Sequence, residues 1–151
     1  MKERFPKLAY PPIIEAIVDL ECAMPPSLDI AALQEAAGEV LRDRYPVFRP
    51  VVRQLVPVSM PPDAPNPPTP PQSPPALQFF QFRSEGGHHA VQFGQVGYAF
   101  HRLAPYSRLE DYLPEIERTW RLFTAVAAPV RVNVARLRYI NRIPLPLQGG
   151  Q

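Results

Sequence analysis

The sequence predicts an α+β domain in which a mostly antiparallel sheet is covered on one face by two helices, with the element order β-α-β-β-β-β-α-β. Three observations lead to this prediction. Apolar and polar residues alternate near both ends of the chain, two segments have apolar residues at helical spacing, and three short aromatic runs follow one another. With 151 residues, the chain is expected to form a single domain, 1–151.

The composition indicates a protein of the cytoplasm without a membrane anchor. The formal net charge is only +2, and most of the 16 basic residues are arginine, which gives a mild bias toward anionic partners. Cys22 is the single cysteine, so an internal disulfide is excluded and a reducing compartment is expected. The chain has no apolar run of the roughly 20 residues that span a bilayer, and residues 1–12 lack the apolar core of a signal peptide.

The first regular segment predicts a strand with one buried face. Glu15, Asp19 and Glu21 alternate with apolar residues, so the carboxylates are expected on the face opposite the core. We expect Cys22 to lie in the core as a small hydrophobic residue. The predicted buried face consists of Ile14, Ala16, Val18, Leu20 and Cys22.

A helix is predicted next, with Asp29 as its N-cap and Pro46 as its stop. Arg42 and Arg44 are expected in its last turn, where cations favour the helix dipole. Its predicted apolar stripe is Ile30, Leu33, Ala37, Val40 and Leu41.

Prolines dominate the segment that follows. The region 47–58 is rich in β-branched residues but contains Pro50 and Pro57, which predicts an edge strand or a bulged one. About half of residues 57–75 are proline, so we expect a flexible inserted loop. Its PxxP spacing also fits a ligand for an aromatic-grooved adaptor domain, but proline-dense loops produce that spacing by chance.

Three aromatic runs between residues 76 and 103 predict an antiparallel meander, because glycine-containing junctions separate them. Either Phe80 and Phe82, or their neighbours Leu77 and Phe79, are expected on its buried face.

The second helix is predicted in the segment that begins at Tyr106. Ser107 and Glu110 have the spacing of a capping box, but Pro114 is too deep in a helix that starts there. Either the helix kinks, or it begins at Asp111, and we favour the second alternative. Its predicted apolar face is Leu113, Ile116, Trp120, Phe123 and Ala127, with Trp120 in the core.

The final strand changes its alternation part-way. Val130, Val132 and Val134 share one parity, whereas Leu137 and Tyr139 have the other. A bulge near Ala135 and Arg136 would explain the change. With this bulge, four polar residues are expected to face away from the core: Arg131, Asn133, Arg136 and Arg138.

Four dispersed blocks carry a resemblance to a known family. They are "PPIIEAIVDLE" (11–21), "VQFG" (91–94), "PYSRLEDYLP" (105–114) and "LRYINRIPLP" (137–146). In this order they resemble a sporadically distributed, functionally uncharacterised bacterial protein family. The resemblance implies that the chain corresponds to the N-terminal part of longer members, which continue with further strands and a helix. It supplies no catalytic residues, and the proline-rich loop departs from the family pattern.

Candidate catalytic and metal-binding residues are few. His88, His89 and His101 suggest a metal site, but consecutive residues of a strand face opposite sides, and no cysteine or carboxylate cluster completes a ligand set. The terminal "GGQ" echoes the tripeptide of release factors but lies at a chain end. We therefore expect no catalytic residue, metal or cofactor, and lean toward a non-enzymatic protein.

The leading functional hypothesis is a non-catalytic interaction module that dimerises or pairs with a partner protein through the edge of its sheet. The alternative is a nucleic-acid-binding domain that uses the arginine-rich final strand. Outward arginines that pair instead with Glu15, Asp19 and Glu21 would have a structural role. The residues expected to contact a partner or nucleic acid are Arg131, Asn133, Arg136, Arg138, Asn141 and Arg142.

A third hypothesis is a small-ligand pocket between the sheet and the helices, lined by Phe80, Phe100 and Trp120. A filled core is the favoured interpretation of these residues.

Overall fold

The computed structural model describes residues 12–53 and 76–145. The proline-rich loop 57–75 and the terminal "GGQ" lie outside the described residues. Within them, the predicted α+β class and element order are confirmed. Neither described helix has the length and apolar character needed to cross a bilayer. The elements are β1 (Ile13–Ala23), α1 (Ile30–Leu41), β2 (Val47–Arg53), β3 (Ala76–Arg83), β4 (His89–Gly94), β5 (Gly97–Leu103), α2 (Leu109–Ala127) and β6 (Arg131–Asn141).

The six strands form one antiparallel sheet in the order β2-β3-β4-β5-β1-β6. Strands β3 to β5 form the predicted meander, and β2 extends it at the β3 side. The first strand is inserted between β5 and β6, so it pairs with two strands that are distant in sequence. Strand β2 contains Pro50 and lies at one edge with an irregular register near Val51, as its prolines predict.

Strand β1 has the two-faced character that its alternation predicts. Ala16 and Cys22 are buried on the face that contacts the helices, whereas Glu15, Asp19 and Glu21 lie on the other face. Burial raises the pKa of the Cys22 thiol, and the negative charges of Asp19 and Glu21 add to this effect. Ile14 departs from the prediction, because a register shift between Ile13 and Glu15 leaves it exposed.

Both helices pack on one face of the sheet over a core of aromatic rings. The ring of Phe93 lies 5.0 Å from that of Phe123 on α2, and Phe100 stacks on Tyr112 at 6.0 Å. These contacts define the face of β4 and β5 that the helices cover. The same core resolves the alternatives for β3, because Phe80 and Phe82 are its buried pair and Phe79 is not.

The hypothetical pocket between sheet and helices is filled by side chains. Phe80 and Phe100 are fully buried. Trp120 lies against the core, with its ring 5.4 Å from that of Tyr98 and 5.5 Å from that of Phe123. The three residues are therefore packing residues, in agreement with the favoured interpretation.

Helix α1 begins as predicted and ends earlier than predicted. The carboxylate of Asp29 accepts a hydrogen bond from the backbone N–H of Ala31 at 3.0 Å. The helix stops at Leu41, so Arg42 and Arg44 do not lie in its last turn, contrary to the prediction. Arg44 instead reaches α2, where it pairs with Glu115 at 3.5 Å.

Helix α2 corrects the predicted start and face. It begins at Leu109, not Asp111, and Pro114 lies inside it. The Asp111 carboxylate accepts from the N–H of Arg108 at 3.2 Å, so the first turn is capped by Arg108 and Asp111 and not by the Ser107–Glu110 pair whose spacing also fits a capping box. Leu113 is exposed, contrary to the prediction, and Tyr112 is buried against Phe100 in its place.

The bulge of β6 lies earlier than predicted. The register with β1 is regular from Val134 to Ile140 and shifts between Glu21 and Cys22, where Val134 and Val132 are the successive partners. The extra residue is therefore Asn133, not Ala135 or Arg136. Because the shift separates Val132 from Val134, these two valines do not share a face, contrary to the prediction.

A glycine at the start of β5 is required by its close approach to β1. Gly97 has φ +141°, and a Cβ atom there would lie 2.1 Å from the carbonyl oxygen of Leu20. We expect Gly97→Ala to lower the free energy of unfolding by about 3 kcal/mol or more, because backbone atoms must move. Urea unfolding followed by the fluorescence of Trp120 measures this change.

The matched control is Gly87→Ala. Gly87 also has a positive φ, +71°, but a Cβ atom added there would meet no atom within 4 Å. The expected loss is only about 1 to 2 kcal/mol from the left-handed backbone. Equal losses for the two variants would show that the contact with Leu20 has no effect.

A carboxylate network joins the end of α1 to α2. Glu115 accepts hydrogen bonds from the Tyr45 hydroxyl at 2.7 Å and from Arg118 at 2.6 Å. Burial acts to raise the pKa of Glu115, but the hydrogen bonds from Arg118 and Tyr45 outweigh it and hold the pKa below its usual value. The carboxylate therefore contributes stability above its unfolded pKa of about 4.3, and this contribution is lost as pH falls through the lowered folded pKa.

We expect Glu115→Gln to cost about 1 to 2 kcal/mol at pH 7, with the difference from the wild type disappearing in more acidic solution. Denaturation at a series of pH values measures this. Glu117→Gln is the control, because Glu117 pairs with Arg121 at the surface and should matter little. A constant difference between Glu115→Gln and the wild type at every pH would contradict the role of the ionised carboxylate.

Candidate functional site

Two features outside the core bring polar or unsatisfied groups together. The first is the face of the sheet opposite the helices, which we call the helix-free face. The second is the outer edge of β6. The six residues predicted to contact a partner all lie on or directly after β6, but the structure divides them between different surroundings.

Arg136 and Arg138 lie on the helix-free face, where they pair with β1. Arg136 contacts Asp19 at 3.3 Å and Glu21 at 2.8 Å, and Arg138 approaches Asp19 at 3.8 Å. The hydrogen bond with Glu21 raises the pKa of Arg136. The alternative pairing of outward arginines with carboxylates of β1 is therefore confirmed for Asp19 and Glu21, whereas Glu15 contacts His101 instead.

The other four residues occupy the two ends of β6. Arg131 donates to the side chain of Asn133 at 2.9 Å, beside the bulge. Asn141 lies opposite Ile13 at the far end, and the backbone N–H of Arg142 donates to the carbonyl of Pro12 at 2.8 Å. The six predicted contact residues therefore do not form one patch. Nucleic-acid binding stays a prediction, and phosphates would compete with Asp19 and Glu21 for the central arginines.

Strand β6 is exposed along its whole length. Leu137 and Tyr139 lie on the face of the sheet on which the helices pack, and they are 47% and 41% exposed. Ile140 and Val134, on the helix-free face, are 41% and 37% exposed. Within 12–53 and 76–145, β1 is the only strand that pairs with β6. Such an edge offers both backbone hydrogen bonds and apolar surface to another strand.

The direction of the backbone groups at this edge follows from one hydrogen bond. The N–H of Arg142 points toward β1, where it meets the carbonyl of Pro12. Because N–H directions alternate along a strand, those of Ile140 and Arg138 also point inward. The N–H groups of Ala135, Leu137 and Tyr139 therefore point away from the sheet.

His101 is a buried polar residue on the helix-free face. Its Nδ1 lies 2.6 Å from the Glu15 carboxylate, whereas its Nε2 is buried without a hydrogen-bond partner among the described residues. Burial lowers the pKa of His101, since it outweighs the opposing effect of the hydrogen bond that the ring donates to Glu15, and the charges of Arg138 and Arg83 lower the pKa further. The ring is therefore neutral near pH 7, with its Nδ1 proton directed at Glu15.

The pairing of His101 with Glu15 was missed at the level of sequence. The chain shows a strand with carboxylates on one side and a histidine within an aromatic run, but neither pattern reveals that β1 and β5 are neighbours. Arg83, whose charge acts on His101, lies on β3, two strands from β5 in the sheet. The signal that could have revealed His101 is the apolar character of β5 on both faces, which predicts a central strand and makes a histidine within it a buried polar residue.

The histidines do not form a metal site. His89 lies opposite Arg102, its ring packs 5.3 Å from that of Phe100, and it therefore lies on the face opposite His101. His88 is exposed in the turn before β4. Within the described parts of the chain, no group of three or more His, Cys, Asp or Glu side chains is arranged to hold a metal ion.

Depressions on the described surface include one on each side of the sheet. A groove of about 590 Å³ runs between α1 and β2, with Gly38, Tyr45, Phe48 and Phe82 in its lining. A smaller depression of about 250 Å³ lies on the helix-free face over Ala99, between Gln92 on one side and Asp19 and Arg138 on the other. The second depression is adjacent to His101, which follows Ala99 by two positions on β5.

No protein-family model matches the chain, and neither the curated proteins nor the solved structures contain a significant match. The resemblance to a bacterial family therefore rests on the four sequence blocks and stays a prediction. The geometry of the chain is what supports a function.

The neutral state of His101 has a consequence for stability. Because the folded pKa is lowered, the unfolded chain takes up a proton more readily, and stability falls as the pH drops from about 6.5 toward the folded pKa. We expect His101→Gln to reduce this loss. Denaturation between pH 8 and pH 5 in a chloride buffer is the measurement, with His88→Gln, at an exposed turn, as the control. An unchanged pH dependence in His101→Gln would contradict the inference.

Proposed function

We propose that this protein is a non-catalytic interaction module whose β6 edge accepts a strand from another polypeptide, and that a second copy of the chain supplies this strand. The single observation that carries the proposal is the exposed edge of β6. It combines outward N–H groups with apolar side chains on both faces of the sheet.

The apolar residues of β6 support strand addition over a solvated edge. Edge strands that remain in water are usually short, or carry inward charges or prolines along their length. Strand β6 has 11 residues without proline, and Leu137, Tyr139 and Ile140 remain substantially exposed. An added strand would cover part of these side chains on each face.

The charges of β6 permit a second copy to approach. Arg136 and Arg138 are the central charges of the strand, and the carboxylates of Asp19 and Glu21 already balance them. A two-fold axis at Leu137 would place Arg136 directly opposite the second copy's Arg138, which is unfavourable. An axis at Ala135 places Arg136 opposite Val134 instead, and it pairs the two outward N–H groups of Ala135 with each other's carbonyls.

The substitution Ala135→Pro tests this arrangement. It removes an N–H that points outward and leaves the hydrogen bonds to β1 in place. An edge strand tolerates proline at such a position. We expect the wild type to have twice the 17.0 kDa mass of one chain and Ala135→Pro to have the mass of a single chain. Sedimentation equilibrium over a range of concentrations measures this, and circular dichroism checks that the variant is folded.

The matched control is Ala135→Val, which adds a β-branched side chain but keeps the N–H, and it should retain the dimer. If the wild type is monomeric, the same three proteins are used to capture partners from the host extract. A polypeptide that binds the wild type and Ala135→Val but not Ala135→Pro would identify a partner strand in place of the second copy. A wild type that is monomeric and shows no such partner would overturn the proposal, as would an Ala135→Pro dimer.

A further inference from the structure

We propose that the helix-free face binds a tetrahedral oxyanion, of the phosphate or sulfate type, between Arg83 and Arg138 and above the imidazole of His101. This site is separate from the outer edge of β6 and does not depend on self-association.

The register of four strands places the three side chains in one row. Arg83 lies opposite Ala90, and Ala90 lies opposite His101. His101 in turn lies opposite Ile17, and Ile17 lies opposite Arg138. Residues directly opposite one another share a face of an antiparallel sheet. The row therefore runs Arg83–Ala90–His101–Ile17–Arg138 across the helix-free face.

Both arginines are long enough to meet above the histidine. Each lies two strands from His101, which corresponds to roughly 9 to 10 Å along the sheet. Ala90 and Ile17 are 1% and 4% exposed on a face that no described helix covers. Their burial requires cover from neighbouring side chains, and the aliphatic stems of Arg83 and Arg138 are the direct neighbours.

The guanidinium groups retain donors for a ligand. Arg83 uses its Nε–H for Gln81 at 2.9 Å, which engages one of its five N–H groups. Arg138 makes only a 3.8 Å approach to Asp19, and its side chain is 56% exposed, so it is free to reorient. Two arginine forks that approach from opposite ends of the row are a favourable arrangement for an oxyanion with several oxygens.

The independent observation is the unsatisfied atom of His101. The residue is 8% exposed, and its Nε2 has no hydrogen-bond partner among the described residues. Buried polar atoms are almost always paired, so a missing partner calls for an explanation. A bound oxyanion supplies it, because an anion between the two arginines favours protonation of the ring and accepts a hydrogen bond from Nε2.

Binding is therefore coupled to uptake of one proton. The charged groups that face His101 are Glu15 and Asp19 on β1, Arg83 on β3 and Arg138 on β6. Strand β4 contributes the uncharged Ala90 to the row, and no described helix packs on this face. Without ligand, burial and the two arginines keep the ring neutral. Protonation gives Nε2 a hydrogen to donate, so affinity rises as the pH falls.

Sodium sulfate is the probe, because sulfate keeps its charge over the range in which histidine titrates. Calorimetric titration of the full chain between pH 5.5 and pH 8, at constant ionic strength with chloride, measures the affinity. We expect the dissociation constant to rise roughly tenfold for each pH unit between the bound and free pKa values of His101. The ¹⁵N shift of His101 Nε2 should report its protonation on addition of sulfate.

Variants assign the effect to the row. Arg83→Gln and Arg138→Gln should each weaken sulfate binding roughly tenfold or more, because each removes charged hydrogen bonds. His101→Gln should abolish the pH dependence. Arg131→Gln, at the bulge of the same strand, is the matched control and should bind as the wild type does, and so should the single-chain Ala135→Pro variant.

A third arm distinguishes a free anion from one carried by an organic group. O-phosphoserine that binds more tightly than inorganic phosphate at the same pH would identify a phosphomonoester as the ligand, and equal affinities would identify the free ion. The proposal is overturned if sulfate produces neither heat nor a shift of His101 at any pH, or if binding survives unchanged in Arg83→Gln and Arg138→Gln.

Discussion

The pairing of β1 with β5 on one side and β6 on the other is the constraint on which the rest of the structure depends. Because β1 lies inside the sheet, both of its edges are paired. Its two faces meet different surroundings, since the helices pack on one side of the sheet. Its apolar face completes the aromatic core under the helices. Its acidic face orients His101 through Glu15 and balances Arg136 through Asp19 and Glu21. The close approach of Gly97 to Leu20 keeps β5 and β1 together at the other end of the pair.

The two faces of the sheet are stabilised by different physics. Under the helices, rings such as Phe93, Tyr98 and Phe123 bury apolar area and meet edge to face or at a tilt. The helix-free face instead has a row in which the buried side chains of Ile17 and Ala90 lie among charged and polar residues. Ion pairs at such a surface contribute little to stability. The ion pairs instead distinguish the arginines of this face: Arg136 is balanced by two carboxylates, whereas Arg138 makes only one long approach to Asp19.

The edge and the helix-free face share β6 but present different chemistry. The edge presents backbone donors from residues whose side chains lie on the helix side, such as Leu137 and Tyr139. The helix-free face presents Arg136 and Arg138, whose N–H groups are directed inward. Alternation along one strand therefore separates the edge proposed to bind a polypeptide from the face proposed to bind an anion. A strand added at the edge would extend the helix-free face without covering the row that contains His101.

Local patterns in the sequence determined the elements, the class of the fold and the inward position of Cys22, because alternation and helical spacing record which side of a segment avoids water. They also determined the edge position of β2, because Pro50 lacks the N–H that an interior strand would need. Prediction was wrong where two local interpretations of a segment were nearly equal. Helix α2 starts two residues earlier than predicted, Tyr112 is buried in place of Leu113, and the β6 bulge lies two to three residues earlier than predicted. Packing against Phe100 and the register with β1 decide these positions.

Only the tertiary structure decided which strands are neighbours, and with this the partners of every charged group. The sequence contains Glu15, Arg83, His101 and Arg138 as four unrelated residues spread over more than a hundred positions. They lie on one face of the sheet, along neighbouring strands, because β1 inserts between β5 and β6, a choice made by the summed burial of many side chains and not by any local motif. Candidate residues on one strand were therefore predictable from alternation, whereas the row they form across strands was not.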